Sequence, residues 1–419
     1  MKRKTGKWLK ISLVALLALT LAGAGVVYAF VIKRPTQIAE YADTKPHKWN
    51  KVELGDNVRS SDGSEYYLLT KKGSSRNWII FFSGGGVSWD AQSAASPMKI
   101  TNILTGKDPG NYFANLPFYM LTLLDGIMAD RPENPFREWN VAYIPYSTGD
   151  FHIGNRIAKY PEKDGSSLIV NYNGRNNVQS SLDWIYEHAV QPDKLLIAGE
   201  SAGGFGSAFW AREIAGHYKD AEIYQYSDSS FLYSDKWPGI VDNEWHADFK
   251  ENFGYPAAAD LIGAAVRGNS RQMADGTVFL QSYSLYDEIL THFENKINDK
   301  APVSSQSDAA AWSRRMTSAV RELAETLPNY VYFVTDDGLD AKKGTTSHTL
   351  NCDPQERHFE KSDLLVGLLC FNQNIGKGAG YDCGKLKSNP IYGRYHKKVR
   401  EESKCSASIR DEYFVYSRV

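Results

Sequence analysis

A chain of 419 residues with 42% hydrophobic side chains can bury a large core, so a globular protein of one large or two smaller domains is expected. Its 48 basic and 49 acidic residues nearly cancel, but residues 1–34 hold seven of the bases and no acid, so the remaining 41 against 49 leave residues 35–419 at −8. A body of that sign has no electrostatic reason to seek nucleic acid, and that class of partner is excluded.

The N-terminus opens MKRKTGKWLK and continues from residue 11 to residue 32 without a charge, before Lys33, Arg34 and Pro35. A run of this length suffices to span hydrocarbon, and the basic cluster ahead of it argues for that end staying in the cytoplasm. The reading is an uncleaved membrane anchor, with the body outside the cytoplasm. The alternative is a secretory signal cut after Leu21-Ala22-Gly23 or Val27-Tyr28-Ala29, which also exports the body. Residues 35–60 are polar and irregular and read as a stalk, leaving 61–419 as a single domain.

Beyond the stalk the pattern alternates in the α/β manner. Strands are predicted at 65–70, 78–82, 139–145, 195–198, from 223 to 226, at 278–281 and at 330–334. Helical spacing marks 177–190, 205–218 and 309–327. Glycine-rich or acidic turns follow several strands: Ser83-Gly84-Gly85-Gly86, Tyr146-Ser147-Thr148-Gly149-Asp150 and Ser227-Asp228-Ser229. In an open, mostly parallel sheet those turns share one rim, where ligands bind. The four cysteines, Cys352, Cys370, Cys383 and Cys405, all lie near the C-terminus. In an exported chain they predict two disulfides pinning a C-terminal extension; no C-x-x-C pair favours a zinc site.

Lys194 to Ala211 reads KLLIAGESAGGFGSAFWA, a strand, then G-x-S-x-G, then a helix. That order marks a nucleophile elbow, with Ser201 lifted above the sheet. The Ala202 N–H, first in the helix, points where an oxyanion would form. A second donor set fits the Gly84-Gly85-Gly86-Val87 loop after the strand at 78–82. The glycines at 199, 203, 204 and 206 do not fit a dinucleotide fingerprint, and a Walker-type lysine is missing. Acyl transfer also needs a base and an acid to orient it. Downstream histidines are His217, His246, His292, His348, His358 and His396. His348, in a polar loop after the last strand, is the first candidate and His246 the second. For the acid, Asp228, Asp287, Asp336, Asp337 and Asp340 compete; Asp287 comes first and Asp228 second.

The ordered set FFSGGGVSWD, NVAYIPYSTGDFHIGN, GESAGGFGSAFWA, YSDSS, SYSLYDE and SHT resembles the pectin acetylesterase/Notum family of serine carboxylesterases over most of residues 65–350. The resemblance implies an α/β-hydrolase-like fold and a Ser201–Asp287–His348 triad. It also implies oxyanion donors among Gly85, Gly86, Val87 and Ala202, and removal of an acyl group, often acetyl, from a carbohydrate or other esterified polymer. No cofactor and no metal are expected. Ser88 and Ser147 stand where family members often carry cysteine. Two other functions share these features. One is a surface protein that binds glycans through its 25 tyrosines and 10 tryptophans without cleaving them. The other is a hydrolase using the same triad on a peptide or lipid ester.

Overall fold

The computed structural model describes residues 2–26, 35–117, 120–122, 124–132, 134–301, 305–336, 338–350 and 415–416. Twelve strands are described: β1 (Thr36–Gln37), β2 (Trp49–Val52), β3 (Leu68–Lys71), β4 (Trp78–Phe82), β5 (Asn140–Ile144), β6 (Arg156–Pro161), β7 (Ser167–Tyr172), β8 (Lys194–Glu200), β9 (Glu222–Asp228), β10 (Val278–Ser284), β11 (Tyr330–Thr335) and β12 (Val415–Tyr416). Ten of them form one sheet in the order β1-β2-β3-β5-β4-β8-β9-β10-β11-β12, while β6 and β7 make a separate antiparallel hairpin. From β5 through β11 every neighbouring pair is parallel. Antiparallel pairing occurs at β2–β3, β3–β5 and β11–β12. With helices packed on it, this is an α/β-hydrolase-like fold.

The central strands are buried on both faces, which is why they read as continuous apolar runs rather than alternations. In β4 every residue is buried. Trp78, Ile80 and Phe82 join one core cluster, and Ile79 and Phe81 the other. In β8, Leu195 and Ile197 point to the first cluster and Leu196 and Ala198 to the second. The helix Gly174–His188 buries Val178, Leu182 and Ile185 along one stripe. The helix Gln306–Thr326 opens on a Ser305–Asp308 capping box and buries Trp312, Met316, Val320 and Leu323 at three- and four-residue intervals. The helix Ala202–His217 is different: Ala202, Gly203, Gly204 and Gly206 are all buried, so its first turns lie directly on the sheet.

The parallel register brings the C-terminal ends of β4, β5, β8, β9, β10 and β11 to one edge. Strand order reverses beside β4, whose chain neighbour β5 lies on one side and β8 on the other. The loop after β4 therefore opens at the switch point, where α/β sheets leave a crevice.

Several expectations need correction. The stretch 35–60 holds β1 and β2, which pair with each other and, through β2, with β3, so part of the expected stalk belongs to the sheet. The expected strand at 65–70 begins only at Leu68. The hairpin Arg156–Pro161/Ser167–Tyr172 was not foreseen; it stands off the main sheet with Ile157 and Ile169 exposed, so it lacks a clean inside–outside alternation. The helix Lys2–Val26 carries much of the N-terminal apolar run, with Leu13, Val14, Leu16, Leu17, Leu19 and Leu21 exposed. Among the described residues, however, no helix is long and apolar enough to cross a membrane, so the expected anchor finds no support there. Residues 27–34, and all four cysteines with their expected disulfides, lie outside the described residues.

Ile80 is fully buried at the middle of β4. Ile80→Ala is expected to lower unfolding free energy by about 2–5 kcal/mol, read as a lower denaturant midpoint with the slope unchanged.

Candidate active site

At the end of β8 the chain turns through Ser201 with φ 51° and ψ −125°, and the helix starts at the next residue. A serine at positive φ is strained by about 1–3 kcal/mol, so the surroundings must enforce it. They do so by close approach. A Cβ on Gly203 would lie 2.0 Å from the Phe82 carbonyl oxygen, and one on Gly199 would lie 2.1 Å from that of Gly203. The Ser201 N–H donates to the Asp228 carbonyl at 2.8 Å, and the Ser201 carbonyl accepts from the Ser230 hydroxyl at 2.9 Å.

Asp287 closes β10's loop and caps the helix Glu288–Ile297. One carboxylate oxygen accepts the Leu290 N–H at 2.8 Å; the other meets His348 Nδ1 at 2.7 Å. Asp287 is fully buried, whereas the His348 side chain is 16% exposed. The loop carrying His348 is stitched to the same turn: Thr346 N–H donates to the Tyr286 carbonyl (2.9 Å), Tyr286 N–H to Thr346 Oγ1 (3.0 Å), and Ser284 Oγ bonds Thr346 Oγ1 (2.8 Å). With Nδ1 donating to the carboxylate, the neutral ring leaves Nε2 as the lone-pair nitrogen. Nε2 is buried and makes no hydrogen bond among the described residues. Burial disfavours the imidazolium, but the Asp287 charge and hydrogen bond, with Asp228 and Glu200 behind them, outweigh it and raise the His348 pKa above the usual 6.5.

The structure thus joins Asp287 and His348 directly. Ser201 shares their neighbourhood: Asp228 binds the Ser201 N–H through its carbonyl and the Leu350 N–H through its carboxylate, at 2.8 Å each. Among the described residues no hydrogen bond joins the Ser201 hydroxyl to His348. The other candidates lie elsewhere. His217 stacks on Tyr186 at 3.8 Å, and His246 is exposed at φ 51°. His292 sits within the helix Glu288–Ile297, and Asp340 receives the Lys342 and Lys343 N–H groups in a surface turn. Asp336 follows β11 and accepts the Leu339 N–H through its carbonyl at 3.0 Å, and Asp337, His358 and His396 lie outside the described residues.

The glycine loop lies against the elbow: a Cβ on Gly84 would come 2.9 Å from Ser201 Cβ. One expected donor drops out. The Val87 N–H already donates to the Asn111 carbonyl at 2.8 Å, because residues 85–87 pair with 111–113 as a short antiparallel bridge. The N–H groups of Gly85, Gly86 and Ala202 have no acceptor among the described residues. Ala202's is one of the unpaired amides that every helix start leaves.

Two supports escaped the sequence reading. Fully buried His152 bonds the Ser83 carbonyl through Nε2 at 3.0 Å, fixing the base of the glycine loop. Burial pushes its pKa down to about 4, so the ring is neutral and that nitrogen donates. Buried Asp150, pushed up to about 6 by desolvation, accepts from Thr148 Oγ1, His152 N–H and Gly174 N–H. The signal was the Y-S-T-G-D-F-H string at a strand end, whose polar residues have no place in a core unless they bond each other. The two serines at expected cysteine positions are also bonded: Ser88 to the Tyr172 hydroxyl at 2.9 Å, and Ser147 to Ser60 at 3.0 Å. Among the described residues no group of three or more His, Cys, Asp or Glu side chains could hold a metal ion.

The family model described as Pectinacetylesterase matches residues 50–251. The resemblance to pectin acetylesterases is therefore shown over the segment that holds the glycine loop, the Y-S-T-G-D motif and the serine elbow. Among solved structures, the chain is similar to the Wnt deacylase Notum from Drosophila, with 16% identity over 77% of this chain and 93% of that one and a TM-score of 0.48. No curated protein matches the sequence.

His152 and Asp150 carry opposite pH linkages. A depressed histidine pKa contributes stability that is present above 6.5 and lost as pH falls toward about 4. A raised aspartate pKa contributes stability that is present below 3.8 and lost as pH rises through about 6. The wild type's advantage in Tm over His152→Gln is therefore expected to shrink as pH is lowered from about 7 to about 4.5, as followed by thermal melts.

Proposed function

We propose that the protein is an exported serine carboxylesterase that removes an acyl group, acetyl foremost, from a polysaccharide or other esterified polymer. The family match supports an esterase. The finer reading rests chiefly on one observation, a buried carboxylate bonded to His348 Nδ1 with Nε2 left unbonded near a strained serine elbow. Export rests on the basic start and apolar run of residues 1–34.

In this mechanism His348 Nε2 takes the Ser201 hydroxyl proton as Oγ attacks the ester carbonyl carbon. The carbonyl π electrons move to oxygen, and the oxyanion is held by the Ala202 N–H with Gly85 or Gly86. Asp287 stabilises the imidazolium and fixes its tautomer. The C–O bond to the leaving alcohol then breaks as the imidazolium returns the proton to the departing oxygen, leaving acylated Ser201. Water, deprotonated by His348, attacks that acyl group, and release of the carboxylic acid restores the serine.

Ser201→Ala is expected to abolish hydrolysis of p-nitrophenyl acetate and labelling by a fluorophosphonate while the melting temperature holds. Wild-type turnover in that variant would overturn the proposal. Asp287→Asn should lower kcat by about 10³–10⁴, since the amide no longer enforces the base tautomer. Because the base must be neutral and its pKa is raised, kcat/KM should fall on the acid side with a midpoint above 6.5. A series of p-nitrophenyl esters of rising chain length, followed by acetylated glycans, separates an acetylesterase from a lipid-ester hydrolase.

A further inference from the structure

Asp228 has no role in the proton relay just described, yet it is fully buried at the end of β9, between the strand that leads to Ser201 and the one that leads to Asp287. Its contacts run to both. The carbonyl accepts the Ser201 N–H at 2.8 Å and also the Ser230 hydroxyl at 3.0 Å, and that hydroxyl bonds the Ser201 carbonyl as well. The elbow is thus clipped to the 228–230 turn at both its amide and its carbonyl. One carboxylate oxygen accepts Ser282 Oγ at 2.8 Å and Ser229 Oγ at 3.2 Å, which orients the group from β10. The other accepts the Leu350 N–H at 2.8 Å.

Leu350 lies two residues beyond His348. The loop is tied at Thr346 to the Asp287 turn and at Leu350 to Asp228, with the histidine between the two ties. Tying only the first end would leave the imidazole free to swing about it. Resting on the proposed triad, we infer that Asp228 is a positioning residue: it sets the separation of Ser201 and His348 by holding the serine's amide with its backbone and the far end of the histidine loop with its carboxylate.

The carboxylate has a second effect. The charges that favour the His348 imidazolium include those of Asp287, Asp228 and Glu200. Removing the Asp228 charge therefore makes the imidazolium easier to deprotonate, an effect that a merely space-filling residue would not have.

Two substitutions test this. Asp228→Ala removes the Leu350 acceptor and should lower kcat on p-nitrophenyl acetate about 10- to 100-fold with KM little changed, as misplacement of a reacting group does. Asp228→Asn can still accept the Leu350 N–H, so it should recover most of that kcat. It should also shift the acid limb of the pH profile, and the NMR titration of the His348 ring, to lower pH. A folded Asp228→Ala protein with kcat within about twofold of wild type would overturn the inference. So would a His348 titration that stays at its wild-type midpoint in Asp228→Asn. If Asp228→Ala fails to fold, the asparagine variant decides. If wild type shows no Ser201-dependent hydrolysis, it is the esterase reading that fails, and the His348 titration still decides the role of Asp228.

Discussion

The Asp287 carboxylate is shared between two partners, and the site depends on that division. One oxygen caps a helix and the other holds an imidazole. The cap fixes the side-chain torsions, so the second oxygen can face only one way. The positive end of the helix stabilises the buried charge that this arrangement requires. A carboxylate buried without such partners would take up a proton and stop orienting the histidine. Packing, capping and orientation of the imidazole are therefore one interaction seen from three sides.

Parallel strand register carries that local solution to the rest of the site. β8, β9 and β10 are hydrogen-bonded neighbours, so their ends deliver Ser201, Asp228 and Asp287 side by side. Each loop is then bonded to the next one along the edge. The serine turn rests on Asp228, the histidine loop is bonded to both aspartates, and the glycine loop lies on the elbow and is pinned by Asn111 and His152. Serine hydroxyls and backbone amides supply the pairing in this network, while His348 Nε2 and the N–H groups of Gly85, Gly86 and Ala202 have no partner among the described residues.

The same edge stores strain. Ser201 and Ser229, both at positive φ, sit at adjacent strand ends. Glycines at 199 and 203 let the elbow helix approach the strands more closely than any side chain would allow. The strained turn lies above some of the most completely buried strands of the protein, and their packing keeps it from relaxing.

Much of this was legible in the linear chain. The central strands were readable because double-sided burial demands unbroken apolar runs, and β4 is located at the predicted 78–82. The elbow and the glycine loop were readable because close backbone approach demands glycine. Asp287 and His348, named ahead of their rivals by position along the chain, are the pair that the fold bonds together. What the chain could not disclose was how amides and carbonyls pair between distant segments, since backbone groups are the same at every residue. Only the folded arrangement shows that Val87's amide is spent on Asn111, that Asp228 spans two loops, and that part of 35–60 adds strands to the sheet. Side-chain chemistry is written in the sequence, but hydrogen-bond partners 61 and 122 residues apart are chosen by tertiary contact.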